Sequence, residues 1–85
     1  MARSDTRFRA AYNRLLDHCA TLPLGADLPA ESALADLAGV SRTVIRRCLA
    51  RLKAGGLIAW DGRDKRLLSF PRDSDRFAHP HTPAT

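Results

Sequence analysis

Between residues 30 and 54 an apolar stripe at helical spacing is interrupted once, at Gly39-Val40-Ser41, and then resumes. Before the break, Leu34, Leu37 and Ala38 share one face of a short helix over 30–38, which follows Pro29 and opens with Glu31 at its positive end. After it, Ile45, Cys48, Leu49 and Leu52 share one face of a second helix over 42–54. Glycine suits the stop, and Ser41 suits the cap of the next helix. Two helices joined by a three- to four-residue turn containing glycine give the helix-turn-helix pattern.

The flanking sequence supplies what such a pair needs to pack against. Phe8, Tyr12, Leu15, Cys19 and Leu22 step by four, three, four and three, with Ala11 and Leu16 widening the stripe. That spacing predicts a helix over 6–22, capped by Ser4 or Asp5 and stopped by Pro23 and Gly25. The following PLGADLP reads as a loop. After Gly55-Gly56 the period changes. LIAW and KRLLSF are short apolar runs around Asp61-Gly62, a strong turn signal, so 57–70 predicts a β-hairpin ended by Pro71. The expected fold is mainly α with a small β-hairpin: three helices and a two-stranded wing in one domain over 1–70. Residues 71–85 hold three prolines, two histidines and only Phe77 as a large apolar group, and read as a linker or tail. The core is expected from Phe8, Tyr12, Leu15, Leu16, Cys19, Leu28, Leu34, Leu37, Val40, Ile45, Leu49, Leu52, Leu57 and Ile58, with Trp60 packing the wing.

Charge is distributed unevenly along this frame. The 85-residue chain carries a net +5. Residues 15–39 contain four acids and no Lys or Arg, whereas 42–66 contain eight cations against Asp61 and Asp64. Positive charge is thus concentrated on the third helix and the hairpin. A merely soluble surface mixes signs, and such clustering is the footprint of phosphate binding. In a helix-turn-helix the second helix enters the major groove with its N-terminal residues against base edges. Thr43, Arg46, Arg47, Ala50 and Arg51 lie on or toward the side opposite the apolar face, and Arg42 opens the helix. The wing tip, with Gly62, Arg63 and Lys65, is placed to reach a flanking groove or phosphates.

Other function classes fit poorly. A chain of this size has little room for an enclosed active site. It shows no Gly-rich phosphate loop and no Ser/His/Asp set, so it is not read as an enzyme and no cofactor is expected. His79 and His81 lack a third ligand at useful spacing, so no metal site is expected. Cys19 and Cys48 fall on apolar helix faces and read as buried thiols of a reducing compartment. With no signal-like run and no stretch near 20 apolar residues, the protein is expected in the cytoplasm and off the membrane. A winged module using the same basic face for a protein or RNA partner is the alternative reading.

The stretch LPAESALADLAGVSRTVIRRCLARLKAGGLI resembles the N-terminal winged helix-turn-helix of GntR-family bacterial transcriptional regulators. The matching landmarks are Leu28-Pro29, Glu31, Leu34-Ala35, Gly39-Val40-Ser41-Arg42-Thr43, Arg46, Leu49, Leu52 and Gly56-Leu57. The resemblance covers about residues 8–70. It implies sequence-specific binding of double-stranded operator DNA through Ser41, Arg42, Thr43, Val44, Arg46 and Gly62. It also implies a homodimer on a palindromic site, and a small-molecule effector acting only through a C-terminal domain absent from this chain. The chain is accordingly expected to be a DNA-binding fragment. It departs from the family pattern at four places: Ala30 stands for a usual serine cap, Ser32 for a usual arginine, Val44 for a frequent threonine, and Gly62-Arg63-Asp64 for glycine-x-glycine.

Overall fold

The computed structural model describes residues 2–62 and 64–77. Arg63 and the stretch with His79 and His81 lie outside the described residues. Three helices, α1 (Ala2–Cys19), α2 (Glu31–Ala38) and α3 (Arg42–Ala54), precede an antiparallel hairpin, β1 (Ile58–Asp61) and β2 (Asp64–Leu67). A 3-10 turn at Asp73–Asp75 follows. This is a winged helix, with α1 and α2 packed on α3 and β1 running back against α3.

The joint between α2 and α3 is built as its residues require. Gly39 takes a left-handed conformation (φ 71°), which a side chain rarely adopts. The backbone then curls so that the N–H groups of Gly39 and Val40 both bond to the Ala35 carbonyl. Ser41 Oγ accepts from the Val44 N–H at 3.3 Å, capping α3. At the other end of α3, Gly56 is also left-handed (φ 76°). Gly56 N–H bonds to the Lys53 carbonyl and Leu57 N–H to that of Leu52, and both leucines are buried. This Schellman turn sends the chain directly into β1.

The α1 boundaries differ from the expected 6–22. The helix begins at Ala2 and ends at Cys19, where bonds from Thr21 to His18 and from Leu22 to Cys19 tighten the final turn. Leu22 still packs on the core from outside the helix.

In the hairpin, Ile58 pairs with Leu67 and Trp60 with Lys65. Alternation therefore turns Ile58, Trp60, Lys65 and Leu67 inward. The free edge of β2 is covered by the loop that precedes α2. Gly25 N–H bonds to the Leu67 carbonyl, Leu67 N–H to that of Ala26, and Leu28 N–H to that of Lys65. The stretch read as loop thus ties the wing to the helices and satisfies an otherwise open edge.

The core matches the expected set apart from Leu37, which is 40% exposed, and Val40, which is only partly buried. Leu34, Ala35 and Ala38 form the buried ridge of α2, and Leu37 falls on its flank. Residues 71–77 also depart from the linker reading. They fold back across α1. Asn13 Nδ2 donates to the Phe77 carbonyl, and the Phe77 N–H donates to Asn13 Oδ1, both at 2.9 Å. Arg76 pairs with Asp17 at 2.5 Å. The Phe77 ring meets Phe8 and Tyr12 edge-on, at centroid distances of 5.8 and 5.5 Å. A single phenylalanine in a polar, proline-rich segment gave no periodic signal for this return.

Candidate nucleic-acid interface

The first two turns of α3, the start of α2 and the wing tip converge on one open cleft. Its walls are Ala30, Glu31 and Ser32 from the α2 end, Arg42 and Arg46 from α3, and Gly62 and Lys65 from the wing. Capping places Ser41 and Arg42 at the mouth of α3, where the unpaired N–H groups of a helix start favour anions. Ser41 uses an oxygen lone pair for its cap, which leaves its O–H as a donor. Arg42, Thr43 and Arg46 are exposed. Val44 is half-buried and packs against the core.

Arg46 is not a lone cation. Its Nε donates to Glu31 Oε1 at 2.9 Å, across the joint between α3 and α2. That hydrogen bond, with help from the charges of Lys65 and Arg42, holds the Glu31 carboxyl below its ordinary pKa. Glu31 therefore enters the cleft ionised at neutral pH. The sequence places it at the start of α2 and among the landmarks of the family resemblance, with no sign of this pairing. Its contact with a residue fifteen positions away has no local signal.

Two of the expected contact residues sit elsewhere than anticipated. Lys65, anticipated at the wing tip, is 4% exposed, because strand parity turns it to the inner side with Leu67. The alternation of β2 was the available signal. Arg47 lies on the α1 side of α3, its guanidinium 4.8 Å from the centre of the Phe8 ring. Arg51 continues that side, 4.6 Å from the Phe77 ring and 5.3 Å from Tyr12. Arg66 is on the outer face of the wing among Asp27, Asp61 and Asp64. At the tip, Trp60 Nε1 donates to the Gly62 carbonyl at 3.0 Å, fixing the turn from within.

All the residues that form this cleft except Lys65 fall within a match to the model of bacterial regulatory proteins of the gntR family, over residues 9–64. The chain belongs to the GntR family. It is 32% identical over 78 residues to the "Probable HTH-type transcriptional regulator LgoR" of Escherichia coli K12. That match covers 92% of this chain and 26% of LgoR. The crystal structure of PhnF from Mycobacterium smegmatis superposes with a TM-score of 0.56 at 30% identity, over 72% of this chain and 26% of PhnF. The chain thus spans about a quarter of the length of either relative. Family membership implies DNA binding and a part in transcription regulation. It is a family of regulators and not of enzymes. Among the described residues no group of three or more His, Cys, Asp or Glu could hold a metal ion, and no helix is long and apolar enough to cross a membrane.

Proposed function

We propose that this chain binds double-stranded DNA in a sequence-specific manner, with α3 in the major groove and the wing on the flanking groove or backbone. The observation that carries this reading is the exposed cleft in which Arg42 and Arg46, from the first two turns of α3, face the wing tip at Gly62. An arginine presented at the start of a recognition helix has the donor fork that matches guanine O6 and N7. Ser41 and Thr43 flank it with hydroxyl donors suited to phosphates. Arg63 is assigned to the wing contact, and Lys65 supports the cleft electrostatically from within. Arg47, stacked on Phe8, is assigned to the backbone at the α1 side of the groove.

The protein acts as a homodimer on a palindromic operator in the cytoplasm, and any small-molecule effector works through a part of the regulator beyond this chain. Selection of bound duplexes from a random pool tests the core of this reading. Enrichment of one half-site, repeated as a palindrome at about one helical turn or a multiple of it, is the expected result. Equal retention of all duplexes, or of any polyanion, would overturn it.

A further inference from the structure

A site that only gathers positive charge has no use for a carboxylate, yet Glu31 lines the cleft. Its side chain is 17% exposed and that of Arg46 is 62% exposed, so the carboxylate sits at the root of the pair and the guanidinium projects outward. A guanidinium offers five N–H donors in a planar fork. Glu31 takes the Nε edge, and the Nη end remains for a partner outside. The pair has two physical consequences for a polyanion approaching the cleft. The carboxylate repels phosphates and offsets one cation, which lowers affinity for any duplex. It also holds the long Arg46 side chain in one orientation, so less freedom is lost when the Nη end meets a base edge.

We propose that Glu31 is a positioning residue that sets base preference through Arg46 at the expense of general affinity. This rests on the reading that the cleft binds DNA. An unrestrained arginine reaches the nearest phosphate, which carries no sequence information. One anchored through Nε presents an end-on fork suited to guanine. Glu31 thus converts a general phosphate ligand into a reader of one base pair.

The experiment compares wild type with Glu31→Ala, Glu31→Gln, Arg46→Ala and Asp36→Asn. Each is measured by random-pool selection and by titration of the selected and a scrambled duplex over a salt series. Asp36 is exposed on α2 outside the cleft, so its variant controls for net charge. Glu31→Ala is expected to flatten preference at one position of each half-site and to lower the selected-to-scrambled ratio by about tenfold. It should bind the scrambled duplex more tightly, with a salt slope steeper by about one as Arg46 is released to phosphate. Glu31→Gln should fall between it and wild type. Arg46→Ala should flatten the same position without the gain on scrambled DNA, and Asp36→Asn should keep the wild-type ratio. Wild-type base preference in both Glu31 variants, alongside its loss in Arg46→Ala, overturns the proposal and leaves the DNA reading intact. Equal weakening on both duplexes marks a merely structural bridge between α2 and α3 and overturns it too. A wild type without duplex preference overturns the DNA reading, and this proposal with it.

Discussion

Removing the side chains that hold residues 72–77 against α1 should cost stability in a coupled way. The Phe77 ring makes two edge-on aromatic contacts, with Phe8 at 5.8 Å and Tyr12 at 5.5 Å. Each such pair contributes about 0.5–1.5 kcal/mol beyond its burial. Arg51 and Arg9 lie 4.6 and 5.3 Å from the ring centre, each adding about 0.5 kcal/mol at an exposed site. Release of the segment returns some ordering entropy and offsets part of that sum. Phe77→Ala is therefore expected to cost about 2 kcal/mol. Asn13→Ala removes two hydrogen bonds to the Phe77 backbone, each worth about 1 kcal/mol net, and should cost about 1–2 kcal/mol. Both act by releasing one segment, so the double variant should be little worse than the worse single, with a coupling of at least about 1 kcal/mol. Urea unfolding followed by circular dichroism measures all four corners of the cycle. For a domain of this size each kcal/mol also lowers Tm by about 4–8 °C. Trypsin should cut after Arg76 faster in either single variant than in wild type. Additive losses, or single losses below about 0.5 kcal/mol, would show that the segment is a tether and refute the reasoning.

Other expectations follow from the same contacts. Leu49 is fully buried where α3 meets the rest of the fold, so Leu49→Ala should lose about 2–5 kcal/mol in urea unfolding; a loss under about 0.5 kcal/mol would mean that α3 is misoriented. Burial pushes the Cys19 and Cys48 thiols up from 9.0 to about 11 and about 12. Native protein should therefore react slowly with thiol reagents and unfolded protein quickly. Because the folded values are the higher ones, the thiol contribution is complete below pH 9 and is lost as pH rises toward about 11–12, so stability should fall on that limb and fall less in Cys48→Ala. Arg42→Ala and Arg46→Ala should reduce discrimination between selected and scrambled duplexes by about 1–3 kcal/mol each. Arg66→Ala should leave discrimination unchanged, and Arg51→Ala should lower stability more than specificity; the reverse ranking would remove α3 as the reader.

The parts of this fold legible in the sequence were those set by local chemistry. Gly39 and Ser41 end one helix and begin the next within three residues, and the structure places α3 at Arg42–Ala54 as their spacing predicts. Asp61-Gly62 fixes the hairpin in the same way, with Asp61 pairing to Asp64 across it. What escaped was decided by partners distant in sequence. Leu37 belongs to a helical stripe, but in the eight-residue α2 the small Ala35 turns inward beside Leu34 and Ala38 instead. The loop before α2 becomes a cover for β2 because that edge needs hydrogen-bond partners, a demand that arises only once the wing is folded. Phe77 reaches α1 across 64 positions through a clamp whose other half, Asn13, looks like an ordinary polar residue on a helix. The cleft was half legible: its α3 residues were read from spacing, whereas Glu31 joined it through a contact between helices.

The cationic side of α3 resolves into two sides with different chemistry, and the turn of the helix separates them. Arg42 and Arg46 are one turn apart and open into the cleft beside the wing. Arg47 and Arg51 are also one turn apart but lie over Phe8, Tyr12 and Phe77. A guanidinium stacked on a ring keeps its in-plane donors while its face is covered, so these two arginines help to hold α3 to α1 without giving up their charge. Arg51 also meets the ring of Phe77, so residues 72–77 bear on α3 directly as well as through α1. The helix is thereby fixed on both flanks, by Glu31 at Arg46 and by the aromatic cluster at Arg47 and Arg51. The base-edge reading proposed for α3 needs such fixing. A bidentate contact at the cleft is made only if α3 neither rolls nor slides as the charged partner arrives, and an apolar face alone resists rolling less well than an apolar face braced by polar contacts on either side.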